Sequence, residues 1–244
     1  MFLPVDAPIN VRITAPTAPP AGEYITLRCE SQANPAVNSY SWRKLCGSQS
    51  TDLWRDGVEY RLRATVEVGT CDYFCTVRNY LGRTESPAQR IDVQYAPINV
   101  RITAPTAPPA GEYITLRCES QANPAVNSYS WRKLCGSQST VLRRDGVEYR
   151  LRATVEVGTC DYFCTVRNYL GRTESPAQRI DVQYAPINVW ITAPTAPPAG
   201  EYITLRCESQ ANPAVNTYSW RKLCGSQSTD LWRDGVEYSL WATE

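Results

Sequence analysis

The sequence predicts an all-β protein made of tandem antiparallel β-sandwiches, the third of which is incomplete. Three observations lead to this class. The sequence repeats with a period of 89 residues, its apolar runs are short and alternate with polar residues, and its 244 residues include ten cysteines but no histidine. A fixed period of this length indicates a repeated structural unit, and regularly spaced cysteines in a β-rich chain indicate disulfides.

The repeat sets the domain boundaries, because Ala-Pro-Ile-Asn-Val begins at Ala7, Ala96 and Ala185. We expect a leader remnant followed by two complete domains and one incomplete domain: residues 1–6, 7–95, 96–184 and 185–244. The first two repeats differ only where Asp52 and Trp54 become Val141 and Arg143. The third repeat departs from both at four positions, Trp190, Thr217, Ser239 and Trp241, and stops at Glu244. Near-identical copies indicate that one function belongs to the repeated module.

Within one repeat the apolar residues have a period of two, as in Ile9, Val11 and Ile13. Such alternation predicts half-buried strands. The predicted strands are residues 9–13, 25–29, 39–45, 58–64, 72–79 and 89–95. Proline, glycine and asparagine clusters between them predict turns. About seven short strands without a helical stretch fit an antiparallel sandwich.

Four residues make this sandwich more specific. Cys29 is followed thirteen positions later by Trp42, and Tyr73 stands two positions before Cys75. This pattern resembles the immunoglobulin signature, in which the two cysteines bridge the sheets, the tryptophan packs on the bridge and the tyrosine hydroxyl bonds to backbone. The same residue types recur in the later repeats as Cys118, Trp131, Tyr162, Cys164 and Trp220. The short spacing between Cys29 and Cys75 favours a C2 or intermediate arrangement over a variable-type domain.

A second cysteine pair follows from strand register. Opposed residues in an antiparallel pair have a constant index sum, so if Trp42 lies opposite Cys75, Cys46 lies opposite Cys71. Directly opposed residues are close enough for a disulfide. We therefore expect Cys46 to pair with Cys71, and Cys135 with Cys160. Free thiols and a zinc site remain alternatives, although the sequence has no histidine and no CxxC motif.

The third repeat ends before the strands that would follow residue 244. Cys207 and Cys224 correspond to Cys29 and Cys46, whose partners have no counterpart here, so we expect both to be unpaired. They should not pair with each other, because they belong to opposite sheets. We also expect exposed inward faces around Ile203, Leu205 and Trp220, with strand exchange or disulfide-linked oligomers as the consequence.

Composition excludes several classes of function. The formal net charge is +1, which gives no electrostatic footprint for nucleic acid. The absence of histidine removes the common nucleophile–base pairs, and we expect no catalysis, no cofactor and no metal. No export signal or membrane-spanning run is present. We therefore expect a fragment of a longer secreted or membrane protein, attached to a membrane only through a segment outside this sequence.

Several stretches resemble the C2-set spacer domains of the Siglec family, especially its B-cell inhibitory co-receptor type. They are residues 27–37, Tyr40-Ser41-Trp42, residues 78–82 and the junction at residues 93–97. The resemblance implies a type I membrane glycoprotein of immune cells, whose outermost domain binds sialylated glycans through an arginine on strand F. The position after Cys75 is Thr76, with Arg78 two residues further on, so the glycan site is not carried over to this chain.

The leading functional hypothesis is therefore an extracellular, non-catalytic spacer that holds a distal recognition domain away from the membrane. The junction Tyr95-Ala96-Pro97 is short and contains proline, which predicts a stiff, extended array. One alternative is a module that binds a cell-surface protein or glycoprotein through its own sheet face. Another is a lectin that binds sialic acid only through a domain outside this sequence. The candidate binding residues are Arg43, Arg61, Arg63, Arg78 and Trp54.

Overall fold

The chain is all-β. A computed structural model describes residues 6–53, 56–142, 146–196, 199–231 and 234–241. The first repeat contains eight strands, β1 to β8: Asp6–Thr14, Tyr24–Asn34, Ser39–Cys46, Gln49–Asp52, Glu59–Arg63, Cys71–Asn79, Gly82–Glu85 and Gln89–Arg90.

These strands form two antiparallel sheets. The three-stranded sheet has the order β1-β2-β5, and the five-stranded sheet has the order β4-β3-β6-β7, with β8 also paired to β6. This division, with β4 beside β3 and no strand on the far side of β5 among the described residues, is the C2-type arrangement. The expected fold class, tandem immunoglobulin-like sandwiches, is therefore confirmed.

The core lies between the two sheets. Strand β2 alternates strictly, with Ile25, Leu27 and Cys29 buried and the residues between them exposed. Trp42 on β3 and Val77 on β6 close the core from the other sheet. Alternation places every second side chain on the same face, so each sheet has one apolar and one solvated face.

The register of β3 and β6 agrees with the index arithmetic. Trp42 lies opposite Cys75, and Cys46 lies opposite Cys71. Opposed pairs continue without a shift from Ser39 to Cys46. Because a slip by one residue would turn every side chain to the other face, the buried face fixes this register.

Two strands of the first repeat were not predicted. Strand β4 has the sequence Gln-Ser-Thr-Asp and is exposed along its length, and β7 has the sequence Gly-Arg-Thr-Glu. Neither contains an apolar residue, so neither shows alternation. The predicted strand at residues 89–95 is shorter, because only Gln89–Arg90 pair with β6.

The second repeat has the same layout in β9 to β16: Tyr95–Thr103, Tyr113–Asn123, Ser128–Cys135, Gln138–Leu142, Glu148–Arg152, Cys160–Asn168, Gly171–Glu174 and Gln178–Arg179. The sequence predicted no helical stretch, and the part of the chain that the structure describes contains only single helical turns. The first repeat has a 3₁₀ turn at Val68–Thr70, and the second has one helical turn at Val155–Gly158. Thr154 caps that turn by accepting a hydrogen bond from the Val157 amide.

The third repeat contains β17 to β21 within the described residues: Tyr184–Thr192, Tyr202–Asn212, Trp220–Cys224, Gln227–Leu231 and Glu237–Trp241. They form a three-stranded sheet, β17-β18-β21, and a two-stranded sheet, β19-β20. The described part of this repeat has no counterpart of β6, β7 or β8. One edge of β19 therefore remains unpaired in that part of the chain.

The chain separates into two compact units, and the boundary between them divides the second repeat. The first holds the residues up to Val100 with Ser120–Tyr129 and Thr165–Glu174, and the second holds Arg101–Glu119, Ser130–Cys164 and the residues from Ser175. The junction of the first two repeats lies inside the first unit, and the junction of the last two lies inside the second. No helix in the described residues is long and apolar enough to span a membrane.

Candidate functional site

Each complete repeat contains two disulfides. Cys29 pairs with Cys75 across the sheets, with Cα atoms 6.2 Å apart. Cys46 pairs with Cys71 along the β3–β6 ladder, with Cα atoms 4.4 Å apart. The second repeat has the same pairs, Cys118 with Cys164 and Cys135 with Cys160. The first bridge thus joins the two sheets of each complete sandwich covalently. The second bridge joins two neighbouring strands of one sheet, from the end of β3 to the start of β6.

The tryptophans and tyrosines of the signature are buried beside these bridges. Trp42 donates a hydrogen bond from Nε1 to the Gly57 carbonyl at 3.0 Å, and its ring lies 5.8 Å from that of Tyr60. Trp131 makes the same bond to Gly146. Tyr73 is 2% exposed, and its ring centroid lies 6.4 Å from that of Tyr60. Among the described residues no hydrogen bond joins the Tyr73 hydroxyl to backbone, in contrast to the expected tyrosine corner.

Burial changes the ionisation of these tyrosines. Desolvation of the phenolate raises the pKa of Tyr73 to about 12, and it raises the pKa of Tyr162 to about 12 as well. On the outer face of the three-stranded sheet, hydrogen bonds from Arg12 and then Thr14 lower the pKa of the Glu30 carboxyl. The first shift belongs to the core and the second to a solvated surface pair, so neither marks a catalytic group.

An asparagine that the sequence analysis missed holds the end of each complete sandwich. Asn79 is 1% exposed, and its Nδ2 donates to the carbonyls of Asp6 and Pro35 at 2.9 and 3.1 Å. Its Oδ1 accepts from the amides of Leu81 and Gly82. Asn168 makes the equivalent bonds in the second repeat. One side chain therefore joins the first strand, the β2–β3 turn and the β6–β7 turn.

The junction between the first two repeats is fixed by specific hydrogen bonds. Nδ2 of Asn123 donates to Oδ1 of Asp92 at 2.7 Å and to the Val93 carbonyl at 2.8 Å. The Tyr169 hydroxyl donates to Oε1 of Gln94 at 3.0 Å. Strand β9 begins at Tyr95, directly after these acceptors. The junction residues are thus part of a strand, and side chains from the end of β10 and from the β14–β15 turn hold the residues just before it.

The two asparagine bonds recur at the next junction. Nδ2 of Asn212 donates to Oδ1 of Asp181 at 2.6 Å and to the Val182 carbonyl at 2.9 Å. Strand β17 begins at Tyr184, as β9 begins at Tyr95. Asn123 and Asn212 belong to the repeated Ala-Asn-Pro motif. The sequence suggested only that this motif resembles the C2-set spacer domains, not that it makes a contact at the junction. The motif's recurrence at the same distance after each Asp-Val-Gln segment was the available signal for this contact.

The candidate binding arginines do not form one patch. Arg61 and Arg63 lie on the three-stranded sheet, whereas Arg43 and Arg78 lie on the five-stranded sheet. The Arg43 side chain pairs with Glu85 at 2.7 Å and lies 4.1 Å from the Phe74 ring centroid. Arg63 donates from Nε to the Gly22 carbonyl, and Arg61 lies over Tyr24. Trp54 lies outside the described residues.

The third repeat differs from the expectation in one respect. Cys207 and Cys224 are both free, the first half-buried and the second exposed. Ile203 and Leu205 are half-buried, whereas their counterparts Ile25 and Leu27 are buried. Trp220, expected to be exposed, is only 7% exposed. It stays buried because its ring lies 5.6 Å from that of Tyr238 and its Nε1 donates to the Gly235 carbonyl.

Within the described ranges, no group of three or more histidine, cysteine, aspartate or glutamate side chains could hold a metal ion. The cysteines of the complete repeats are instead consumed by the four disulfides.

Comparisons with known proteins agree with this architecture. Residues 96–182 match the family model of the immunoglobulin domain. The chain is 30% identical over 169 residues to the B-cell receptor CD22 of Mus musculus, a match that covers 68% of this chain and 18% of that protein. It is 26% identical over 231 residues to Kin of IRRE-like protein 1 of Homo sapiens, covering 91% of this chain and 28% of that protein.

Among solved structures, the full ectodomain (Ig1–Ig3) of mouse nectin-like molecule 4 has a TM-score of 0.56 and 20% sequence identity. The match covers 75% of this chain and 67% of that chain. At this identity the likeness shows the fold alone. The chain spans less than a third of the length of the two curated relatives named above.

The chain thus consists of tandem immunoglobulin-like domains of the C2 type. It shares homology with CD22 and the Kin of IRRE-like proteins, which are cell-surface receptor and adhesion proteins of the immunoglobulin superfamily. Disulfide-rich domains of this kind form in oxidising compartments. The chain is accordingly an extracellular, cell-surface one.

Proposed function

We propose that this chain is a non-catalytic spacer of a cell-surface receptor, similar to the C2 spacer domains of a Siglec-like B-cell co-receptor. Its domains would be the three repeats, residues 7–95, 96–184 and 185–244. Their task would be to hold a recognition domain at a set distance from the membrane. The protein partner, a cell-surface protein or glycoprotein, would then be bound mainly outside this chain.

The observation that carries this proposal is the pair of equivalent junctions. A spacer must resist bending where its domains meet, because a flexible joint would not set a distance. At the first junction the Asn123 carboxamide bonds to both a side chain and a backbone carbonyl of the preceding repeat. At the second junction Asn212 does the same. Strands that begin at Tyr95 and Tyr184 leave no free linker at either junction.

The dispersal of the candidate arginines supports the spacer over the binding module. Arg43 is held by Glu85 and by a hydrogen bond to Ser50, so its guanidinium is already engaged. Protein interfaces depend on a compact group of buried anchors, with aromatic residues and arginine prominent among them. Arginines that lie on two different sheets do not form such a group.

The test is to remove the junction bonds and measure whether the repeats tumble together. In Asn123→Ala with Tyr169→Phe, the carboxamide and the hydroxyl that bond across this junction are both lost. We expect the amide ¹⁵N relaxation of the first two repeats in this variant to require separate rotational diffusion tensors. The parent chain should fit one shared tensor. Cys207→Ser and Cys224→Ser would be present in every sample to prevent disulfide-linked oligomers.

Gln121→Ala is the matched control. It removes a side-chain amide from the same repeat, but the bond lost is the one from Asn99 within a single sheet, at 3.1 Å. This variant should tumble as the parent does. Separate tensors in the parent would contradict the spacer proposal, and so would an Asn123→Ala, Tyr169→Phe chain that still fits one tensor.

A further inference from the structure

The differences of the third repeat are concentrated on one surface. Within the described residues the third repeat departs from the first at four positions. Three of them, Trp190, Ser239 and Trp241, replace Arg12, Arg61 and Arg63. All three lie on the outer face of the three-stranded sheet, where Trp190 is opposite Glu208, Ser239 opposite Thr204 and Trp241 opposite Tyr202.

These changes give the face an aromatic surface. Trp190 and Trp241 are 45% and 50% exposed, and Tyr202 is 73% exposed. The rings of Tyr202 and Trp241 meet edge to face with centroids 4.9 Å apart. The opposed row from Tyr202 to Glu208 covers six residue steps, which is about 20 Å along the strand. One aromatic group therefore lies at each end of the face.

The charge of the face changes sign as well. In the first repeat the outer face carries four arginines and two glutamates, a formal charge of +2: Arg12, Arg28, Arg61, Arg63, Glu30 and Glu59. In the third repeat only Arg206 remains against Glu208 and Glu237, a formal charge of −1. The second repeat has the same face residues as the first.

We propose that the outer face of the third repeat docks on the arginine face of a first or second repeat in another copy of this chain. The two faces carry opposite charge, and exposed guanidinium groups would meet exposed tryptophan rings, a favourable cation–π arrangement. The first repeat already shows this contact internally, because Arg61 lies 5.0 Å from the Tyr24 ring centroid. Both faces are built on the same three-strand layout, so their rows of side chains have the same spacing.

The size of the face sets the strength of the contact. The outer face has three strands and is about 20 Å long, so the area it can bury is smaller than the roughly 800 Å² per partner of a standard stable interface. The association is therefore weak and reversible, and it depends on ionic strength because part of it is electrostatic.

Sedimentation velocity of the full chain over a range of concentrations tests the proposal. All samples carry Cys207→Ser and Cys224→Ser, which remove the disulfide route to oligomers. We expect the parent to show concentration-dependent association that weakens with added salt. Trp190→Arg with Ser239→Arg and Trp241→Arg restores the first-repeat residues and should raise the dissociation constant at least tenfold. Because the first repeat folds with these residues, loss of folding is not the expected result.

Two further variants make the outcome specific. Thr217→Ser restores the remaining difference, which is not on this face, and should leave association unchanged. Arg61→Glu with Arg150→Glu reverses charge on both arginine faces and should weaken association as the tryptophan changes do. A parent that stays monomeric would overturn the proposal. Association that persists in the Trp190→Arg, Ser239→Arg, Trp241→Arg chain would also overturn the proposal, because the contact would then lie elsewhere, for example on the inward faces of the third repeat.

Discussion

Tyr73 and Tyr162 show how burial of a single residue ties stability to pH. Each has a pKa raised to about 12 by desolvation of its phenolate, whereas an unfolded tyrosine ionises near pH 10. Between these values the unfolded chain loses its phenolic protons and the folded chain keeps them. The stability that comes from burying the neutral ring is therefore complete below about pH 10 and is lost as the pH rises through about 12.

We predict that Tyr73→Phe with Tyr162→Phe reduces this alkaline loss of stability. The denaturant midpoint of the parent should fall between pH 9 and 12 by more than that of the double variant. At pH 7 the two midpoints should be similar, since neither hydroxyl bonds to backbone among the described residues. Identical pH dependence in both chains would contradict the assignment of the shift to these two rings.

At the same scale, the sequence was sufficient for residues whose role depends on spacing and insufficient for those whose role depends on contacts. The partner of Cys46 follows from an index sum, because antiparallel register is regular. The role of Asn79 does not, because its four bonds join three segments that are distant in sequence. The expected tyrosine corner was inferred from a family pattern, and the structure places the Tyr73 ring against Tyr60 instead.

At the scale of strands, alternation was a good guide wherever a strand has one buried face. Strands β2, β3 and β6 begin and end within a few residues of the predicted bounds, except that β2 continues to Asn34. Strands β4 and β7 could not be found this way, since their side chains are polar and largely exposed. Their pairing follows from the neighbouring strands β3 and β6, which offer hydrogen-bonding edges.

The two disulfides of a complete repeat should contribute unequally. The Cys29–Cys75 bridge spans 46 positions and the Cys46–Cys71 bridge spans 25. The longer loop is worth about 0.5 kcal/mol more in chain entropy. Cys29 and Cys75 are also both buried, whereas Cys46 is half-buried, so replacing the former pair leaves a larger defect in the core.

We predict a larger loss of denaturant midpoint when Cys29 and Cys75 become alanine than when Cys46 and Cys71 do. The same pairs would be changed in the second repeat so that both complete sandwiches unfold together. Equal losses would show that neither loop length nor burial decides the contribution of a bridge in this fold.

At the scale of the whole molecule, the third repeat determines the thiol chemistry. Cys207 and Cys224 are the free cysteines of the described chain. We predict two titratable thiols per chain under denaturing, non-reducing conditions, or else disulfide-linked oligomers in their place. Deleting residues 185–244 should abolish both behaviours, and Cys207→Ser with Cys224→Ser should do the same. A monomer without titratable thiol would contradict this prediction.

The domain plan of three repeats stays a prediction, which rests on one module being copied along the chain. The contacts at the joints were less accessible to sequence reasoning. The Ala-Asn-Pro turn and the Asp-Val-Gln segment lie about 30 residues apart, and only the folded module brings Asn123 to Asp92 and Val93. The differences of the third repeat were visible in the sequence. Recognising that three of them lie on the same face required the strand register.

Small-angle X-ray scattering of the full chain, with both free cysteines replaced by serine, tests the spacer proposal most directly. If the chain is a spacer, we expect an extended particle whose profile is fitted by a single arrangement of the repeats. The chain with Asn123→Ala, Tyr169→Phe and Asn212→Ala, which loses the side-chain bonds at both junctions, should require a broader ensemble. A compact globule, or a parent profile that itself requires a broad ensemble, would contradict the claim that these junctions make the chain a spacer.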